Sequence, residues 1–335
     1  MLLNPAILAL LLVSLVDTLM VLLASVFAVQ VLLHWDIDSG SERQLHLERR
    51  TYLISTLLIW AFAFELLSLL LFIYNAESLS GQFVGAMCAT GVLNVNGWGW
   101  PTLFLKIGVY FFGALWLTLN YLDNRGYDYP LIRYKYAILL LAMPLMVAEL
   151  LVQGAYFLGM DPQVITSCCG TLFSADAEGV AAEVSGLAPD RALILLLLSA
   201  VMLFSSGLWV MLRGRRGWLL SLSGILAFIV ALVGIVSFLA LYIYEHPHHH
   251  CPFCILKSGY DYIGYLLYLP LFLGAALAVS TGVVTPWRER PSLRSTVLRI
   301  VPRMGGLALL FFLLFYLLSV VVVWRSSLTM EGVWW

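Results

Sequence analysis

Charge is scarce in this chain. Asp, Glu, Lys and Arg make up 11% of its 335 residues, where a soluble domain carries about 25%. The net charge is -1 at pH 7, so the basic footprint of a nucleic-acid binder is missing and no nucleic-acid partner is expected. Walker, dinucleotide-binding and G-x-S-x-G signatures are also missing. That argues against a bound nucleotide and against ATP-driven transport by this chain alone. Histidine is nearly confined to one place: four of the six lie between 246 and 250, and only His34 stands at the end of an apolar run. No helix-borne pair is left to hold a membrane haem b. Haem attachment of the c type needs His after the second cysteine of C-x-x-C, and here Ile255 follows Cys254.

What the chain has in abundance is apolar length. Hydrophobic residues make up 62%, and a spanning helix needs about 20 of them in succession. Eight such runs stand at about 6–33, 51–74, 101–122, 136–160, 191–212, 218–244, 262–284 and 305–324. They are too long and continuous for barrel strands, which alternate over about ten residues. The expectation is an all-α integral membrane protein: an eight-transmembrane-helix bundle forming a single transmembrane domain over 1–335. The first run has no basic leader and contains Asp17, so it is expected to stay as a helix rather than be cleaved as a signal peptide.

Lys and Arg alternate from loop to loop. Arg43, Arg49 and Arg50 occupy the first connection, Arg125, Arg133 and Lys135 the third, and Arg213, Arg215 and Arg216 the fifth. The seventh holds Arg288, Arg290, Arg294, Arg299 and Arg303. Fourteen of the eighteen basic residues therefore fall on one side, which the positive-inside rule makes cytoplasmic. Both termini then lie outside, in a multi-pass protein of the cell (inner) membrane. All five cysteines fall in loops on the periplasmic or exterior face: Cys88 in the second, Cys168 and Cys169 in the fourth, Cys251 and Cys254 in the sixth. Disulfides are permitted in such a compartment.

The sixth loop reads HPHHHCPFC at 246–254. Cys251 and Cys254 are expected just ahead of a helix, whose N–H groups and dipole favour thiolate, with Pro252 in its first turn. His250, directly adjacent, would favour thiolate further if protonated. Imidazoles beside thiolates also suit a metal, so His246, His248, His249, His250, Cys251 and Cys254 are candidate ligands for copper, zinc or an iron–sulfur centre. A disulfide staple in a polar loop is the plainer alternative. Bonding between the adjacent Cys168 and Cys169 is disfavoured, because neighbouring Cα atoms stand about 3.8 Å apart, below the usual disulfide range. Five is an odd number, so pairing within the chain cannot use every sulfur.

The four residues Cys251-Pro252-Phe253-Cys254 resemble the C-P-aromatic-C site of dithiol glutaredoxins. A C-x-x-C at the outer end of a helix, beside further loop cysteines, is similar to the arrangement in membrane thiol oxidoreductases of the DsbB and vitamin K epoxide reductase class. That resemblance implies a thiol–disulfide protein. Cys251 would attack, Cys254 would resolve, and Cys168, Cys169 or Cys88 would relay electrons to a periplasmic redox partner or a quinone.

Asp17, Glu65, Lys106 and Glu149 fall inside the apolar runs. Ionisable residues there face one another or a cavity, serving as a proton relay or a buried ion pair. Lys106 is expected to pair with Glu65 or Glu149. Three functions stay open: a redox protein of the outer face, a metal-binding protein for metal delivery or as an electron-transfer subunit, with a periplasmic redox or metalloprotein partner, and a transporter or structural subunit with disulfide-braced loops.

Overall fold

The computed structural model describes residues 4–166 and 180–329. Among them there is helix and no strand, and eight helices are long and apolar enough to cross a bilayer. These are α1 (Pro5–His34), α2 (Glu42–Leu79), α3 (Gly99–Asp123), α4 (Ile132–Leu158), α5 (Pro189–Arg213), α6 (Gly217–Tyr244), α7 (Ile263–Val284) and α8 (Pro291–Arg325). The protein is thus a multi-pass membrane protein, as the apolar runs predict. Leu23, Val26 and Leu12 on α1 stand 59–74% exposed, as suits side chains that meet lipid rather than a protein core.

Local chemistry explains where the helices begin. Asn4 accepts the Ala6 N–H at 2.9 Å and Pro5 occupies the first position of α1, so a donor without a helical partner is bound and a helix-ready φ is preset. Two helices outrun their apolar windows. The sequence predicts starts near 51 and 305, whereas α2 begins at Glu42 and α8 at Pro291. Apolar length measures the hydrocarbon crossed. It does not register the charged turns at Glu42–Arg50 and Pro291–Arg303, which a helix tolerates in water.

The expected single domain contains two compact packing units. The first is built from the chain up to Ala76, Val95–Pro162 and Glu289–Thr296. Its core joins Val21 and Phe27 to Leu58, Phe62, Trp116 and Tyr136. Phe62 lies 5.1 Å from the Trp116 ring, and Phe27 meets Tyr136 edge-on at 5.7 Å. Lys135, read from sequence as a loop cation, is instead the buried partner of Asp123 at 2.7 Å within α4.

The second unit comprises Glu77–Asn94, Gln163–Arg288 and the chain from Val297 onward. Here α6 and α7 are joined by a seam of small residues. A Cβ on Gly224 would sit 2.5 Å from Ala278 Cβ, so only glycine allows this approach. The Ser221 hydroxyl bonds the carbonyls of Ala278 and Val279 across the seam, each at 2.9 Å. Close backbone contact replaces the hydrophobic driving force that helices lack in lipid. These contacts join the first half of α6 to the last turns of α7, at the ends of the two helices remote from the loop that carries Cys251 and Cys254.

Candidate functional site: a buried sulfur centre

The loop between α6 and α7 is held by side chains of the two helices that flank it. The Tyr244 hydroxyl donates to the Cys251 carbonyl at 2.5 Å, and the Tyr268 hydroxyl to the Pro252 carbonyl at 2.9 Å. Two tyrosines, one from each flanking helix, thus clamp consecutive carbonyls and fix the direction of the first thiol.

The expected placement of Cys251 at the head of a helix is not what forms. Cys254 opens a three-residue 3-10 helix, Cys254–Leu256, a second runs Ser258–Tyr260, and α7 begins only at Ile263. No long helix stands behind the dithiol to favour thiolate through its dipole. Such short turns are what follow when Asp261 and Tyr262 both take left-handed backbone geometry, which interrupts a helix before α7 starts.

Cys88 comes from a distant segment shaped to meet them. Gly85 adopts φ +85, and a Cβ there would overlap the Thr166 carbonyl, so the position requires glycine. Thr166 N–H bonds the Val84 carbonyl at 3.0 Å and its hydroxyl bonds the Gly91 carbonyl at 2.7 Å. Glu77 accepts the Ala89 N–H at 2.9 Å, and Cys88 immediately precedes the short helix Ala89–Leu93.

The result is a convergence of three sulfurs. Cys88, Cys251 and Cys254 lie with their Sγ atoms within 4.8 Å of one another, all buried. Cys88 Sγ is 3.5 Å from Cys251 Sγ, and Thr90 Oγ1 is 3.2 Å from Cys251 Sγ. Cys88 and Cys251 are 0% exposed and Cys254 6%. Nearby, Glu77 Oε1 faces Lys257 Nζ at 3.7 Å, the lysine partly open to solvent.

No family model matches this chain, and no curated protein and no solved structure matches it either.

The four candidate histidines stand apart from the sulfur group, which among the described residues contains cysteines alone. His246 and His248 are exposed, and the His248 N–H donates to His246 Nδ1 at 3.2 Å. His249 stacks on Tyr244 with ring centres 3.9 Å apart, and its buried Nε2 has no hydrogen-bond partner. His250 Nδ1 contacts the Val236 carbonyl at 3.1 Å. A carbonyl can only accept, so Nδ1 carries the proton and Nε2 holds the lone pair. Burial pushes the His250 pKa below the ordinary histidine value, with His248 and His249 adding to the effect and the Val236 bond opposing it. His250 is therefore neutral at pH 7 and is no cationic neighbour for Cys251. Val236 belongs to a wider π turn in α6, Ile235–Leu239, a local distortion that often marks functional sites. Cys168 and Cys169 lie outside the described residues.

Glu77, Thr90, Tyr244 and Tyr268 were not singled out by sequence. Glu77 ends an apolar run and the tyrosines read as interfacial aromatics. Nothing in their spacing ties them to cysteines far along the chain.

The intramembrane charges form a separate group in the first unit. Lys106 Nζ bonds Glu149 Oε1 at 2.7 Å and Ser68 Oγ at 3.1 Å. Of the two partners expected from sequence, Glu149 takes the direct contact, and Glu65 is reached through Ser68, whose hydroxyl lies 2.9 Å from Glu65 Oε2.

Proposed function

We propose that this membrane protein binds a soft metal ion, Cu(I) foremost, at Cys88, Cys251 and Cys254, on the outer face of the cell membrane. The reading is carried by one observation: three buried sulfurs from two segments remote in sequence meet within 4.8 Å. Thiolate ligands select Cu(I), zinc and iron–sulfur centres. Three sulfurs suit trigonal Cu(I), whereas structural zinc takes four ligands and iron–sulfur clusters are held by four cysteines. Thr90 and the Tyr244 clamp then orient Cys251, as outer partners do at metal sites. Placement outside rests on the basic loops, which leave the cysteine-bearing loops on the opposite side. The exposed His246 and His248 would stand where an arriving ion first meets the loop. Copper storage, or delivery to a periplasmic metalloprotein, is the role this supports.

A thiol–disulfide relay is the second reading, favoured by the 3.5 Å between Cys88 and Cys251. Two thiols would lose two protons and two electrons to form the S–S bond, the electrons passing to a quinone or to a partner's disulfide. Burial ranks it second, because exchange requires an attacking group to reach the sulfur.

Anaerobic purification of the full chain in detergent, reduction, and titration with Cu(I) separates the two. The expected result is one Cu(I) per chain with a three-sulfur shell by X-ray absorption, lost in C251A. Failure to take up copper after reduction, with a Cys88–Cys251 or Cys251–Cys254 disulfide trapped by differential alkylation in the native membrane, overturns the metal reading in favour of the relay. Neither metal nor a redox-active pair would leave a transporter or structural subunit.

A further inference from the structure

The first unit buries more carboxyl groups than its cations can balance. From α1 come Ser14, Asp17 and Thr18; from α2, Glu65 and Ser68; from α3, Lys106; from α4, Glu149 and Gln153. Asp17, Glu65, Lys106, Glu149 and Gln153 are each 0–2% exposed. One ammonium therefore faces three carboxyls in a part of the chain that lies in hydrocarbon.

Hydrogen bonds show which carboxyl that ammonium satisfies. Glu149 Oε1 receives Lys106 at 2.7 Å and the Ser14 hydroxyl at 3.3 Å. The Ser14 oxygen in turn accepts Gln153 Nε2 at 2.7 Å. The Lys106–Glu149 pair is neutral as a whole wherever its proton sits. Asp17 Oδ2 and Glu65 Oε1, by contrast, are buried oxygens with no hydrogen-bond partner, and so is Gln153 Oε1. Two surplus carboxylates there would place two uncompensated charges in lipid, which is costly. Something positive must be supplied from outside the chain.

A metal ion would need the oxygens to converge. Among the described residues, the group of three or more His, Cys, Asp or Glu side chains whose ligand atoms meet within 4.8 Å is the three sulfurs, and the carboxyls of the first unit form no such group. A proton needs no such convergence, since each carboxyl binds its own. We propose that Asp17 and Glu65 are a proton-binding site, each taking up a proton and releasing it while the Lys106–Glu149 pair remains as a neutral brace. Release of one proton leaves the group with one negative charge, which the Lys106 ammonium, already linked to Glu65 through Ser68, is positioned to share. The first unit then carries protons into the membrane, a capacity that makes no use of the sulfur centre.

Infrared spectroscopy of the full-length protein in lipid nanodiscs reads this directly. At neutral pH the wild type should show the C=O stretch of neutral carboxyl groups, shifting in D2O because the protons exchange. D17N and E65Q should each remove part of that band, and D17N/E65Q should remove both parts. Absence of an exchangeable band in the wild type overturns the proposal without any variant. So does a band that D17N/E65Q leaves undiminished, or one that sodium abolishes in the wild type, since sodium would then be the occupant. If the double variant does not fold, D17E and E65D should each keep the band at a displaced position, and an unmoved band in both counts against the assignment.

Discussion

At Cys251 three kinds of contact meet: a second sulfur, a hydroxyl and a clamped backbone carbonyl. Thr90 touches the sulfur without being a thiol, so its loss should weaken metal binding without changing stoichiometry. T90V is expected to lower Cu(I) affinity roughly 10–100-fold, as outer-partner changes do. Competition against a chromophoric Cu(I) chelator checks this, and an unchanged affinity would remove Thr90 from the site. In the first unit, K106M leaves Glu149 buried without its cation and should cost about 3–5 kcal/mol. The double variant K106M/E149Q should recover much of that loss, because it removes both charges together. Unfolding in mixed micelles measures both. The candidate residues were legible at this scale by type alone. Cys88, Cys251 and Cys254 stand out in a chain with five cysteines, and Lys106 stands out in an apolar run. Thr90 and Glu77 did not, because hydroxyls and carboxylates at helix ends are ordinary until a fold places sulfur beside them.

Among the helices, the α6–α7 seam joins the two helices at the ends remote from the site. G224L would force side-chain atoms into Ala278, at a position where even a Cβ stands 2.5 Å from its neighbour. Overpacking of this kind costs about 1–3 kcal/mol, at the ends of α6 and α7 remote from the C-x-x-C loop. The expected outcome is a lowered melting temperature with Cu(I) stoichiometry kept, because Tyr244 and Tyr268 hold the loop at the other end. A variant that also loses copper would show that the loop depends on the whole length of the α6–α7 contact. Helix identity was readable from apolar length, since lipid demands an internally hydrogen-bonded backbone. The start of α7 was not. Pro252 looked like a first-turn proline, but left-handed geometry at Asp261 and Tyr262 delays the helix to Ile263.

For the whole molecule, orientation is the property with the largest consequence. Reporter fusions that fluoresce in the cytoplasm or gain phosphatase activity outside it should report the 124–131 and 214–216 connections as inside and the 245–262 loop as outside. The reverse pattern would put the thiols in a reducing compartment and remove the periplasmic delivery role, leaving the metal chemistry itself intact.

Composition and the spacing of charge were sufficient, unaided, for the eight helices, because the hydrocarbon thickness sets a length that any spanning segment must meet. They were also enough to flag four ionisable residues within those spans. Which side chains meet was decided only by tertiary structure. Cys88 joins Cys251 across 163 residues of chain because Gly85 and Thr166 shape one loop while two tyrosines clamp the other. Lys106 is placed against Glu149 rather than Glu65 because Ser68 stands between it and Glu65. Such choices depend on distances of a few ångströms between segments remote in sequence, and local pattern carries no record of them.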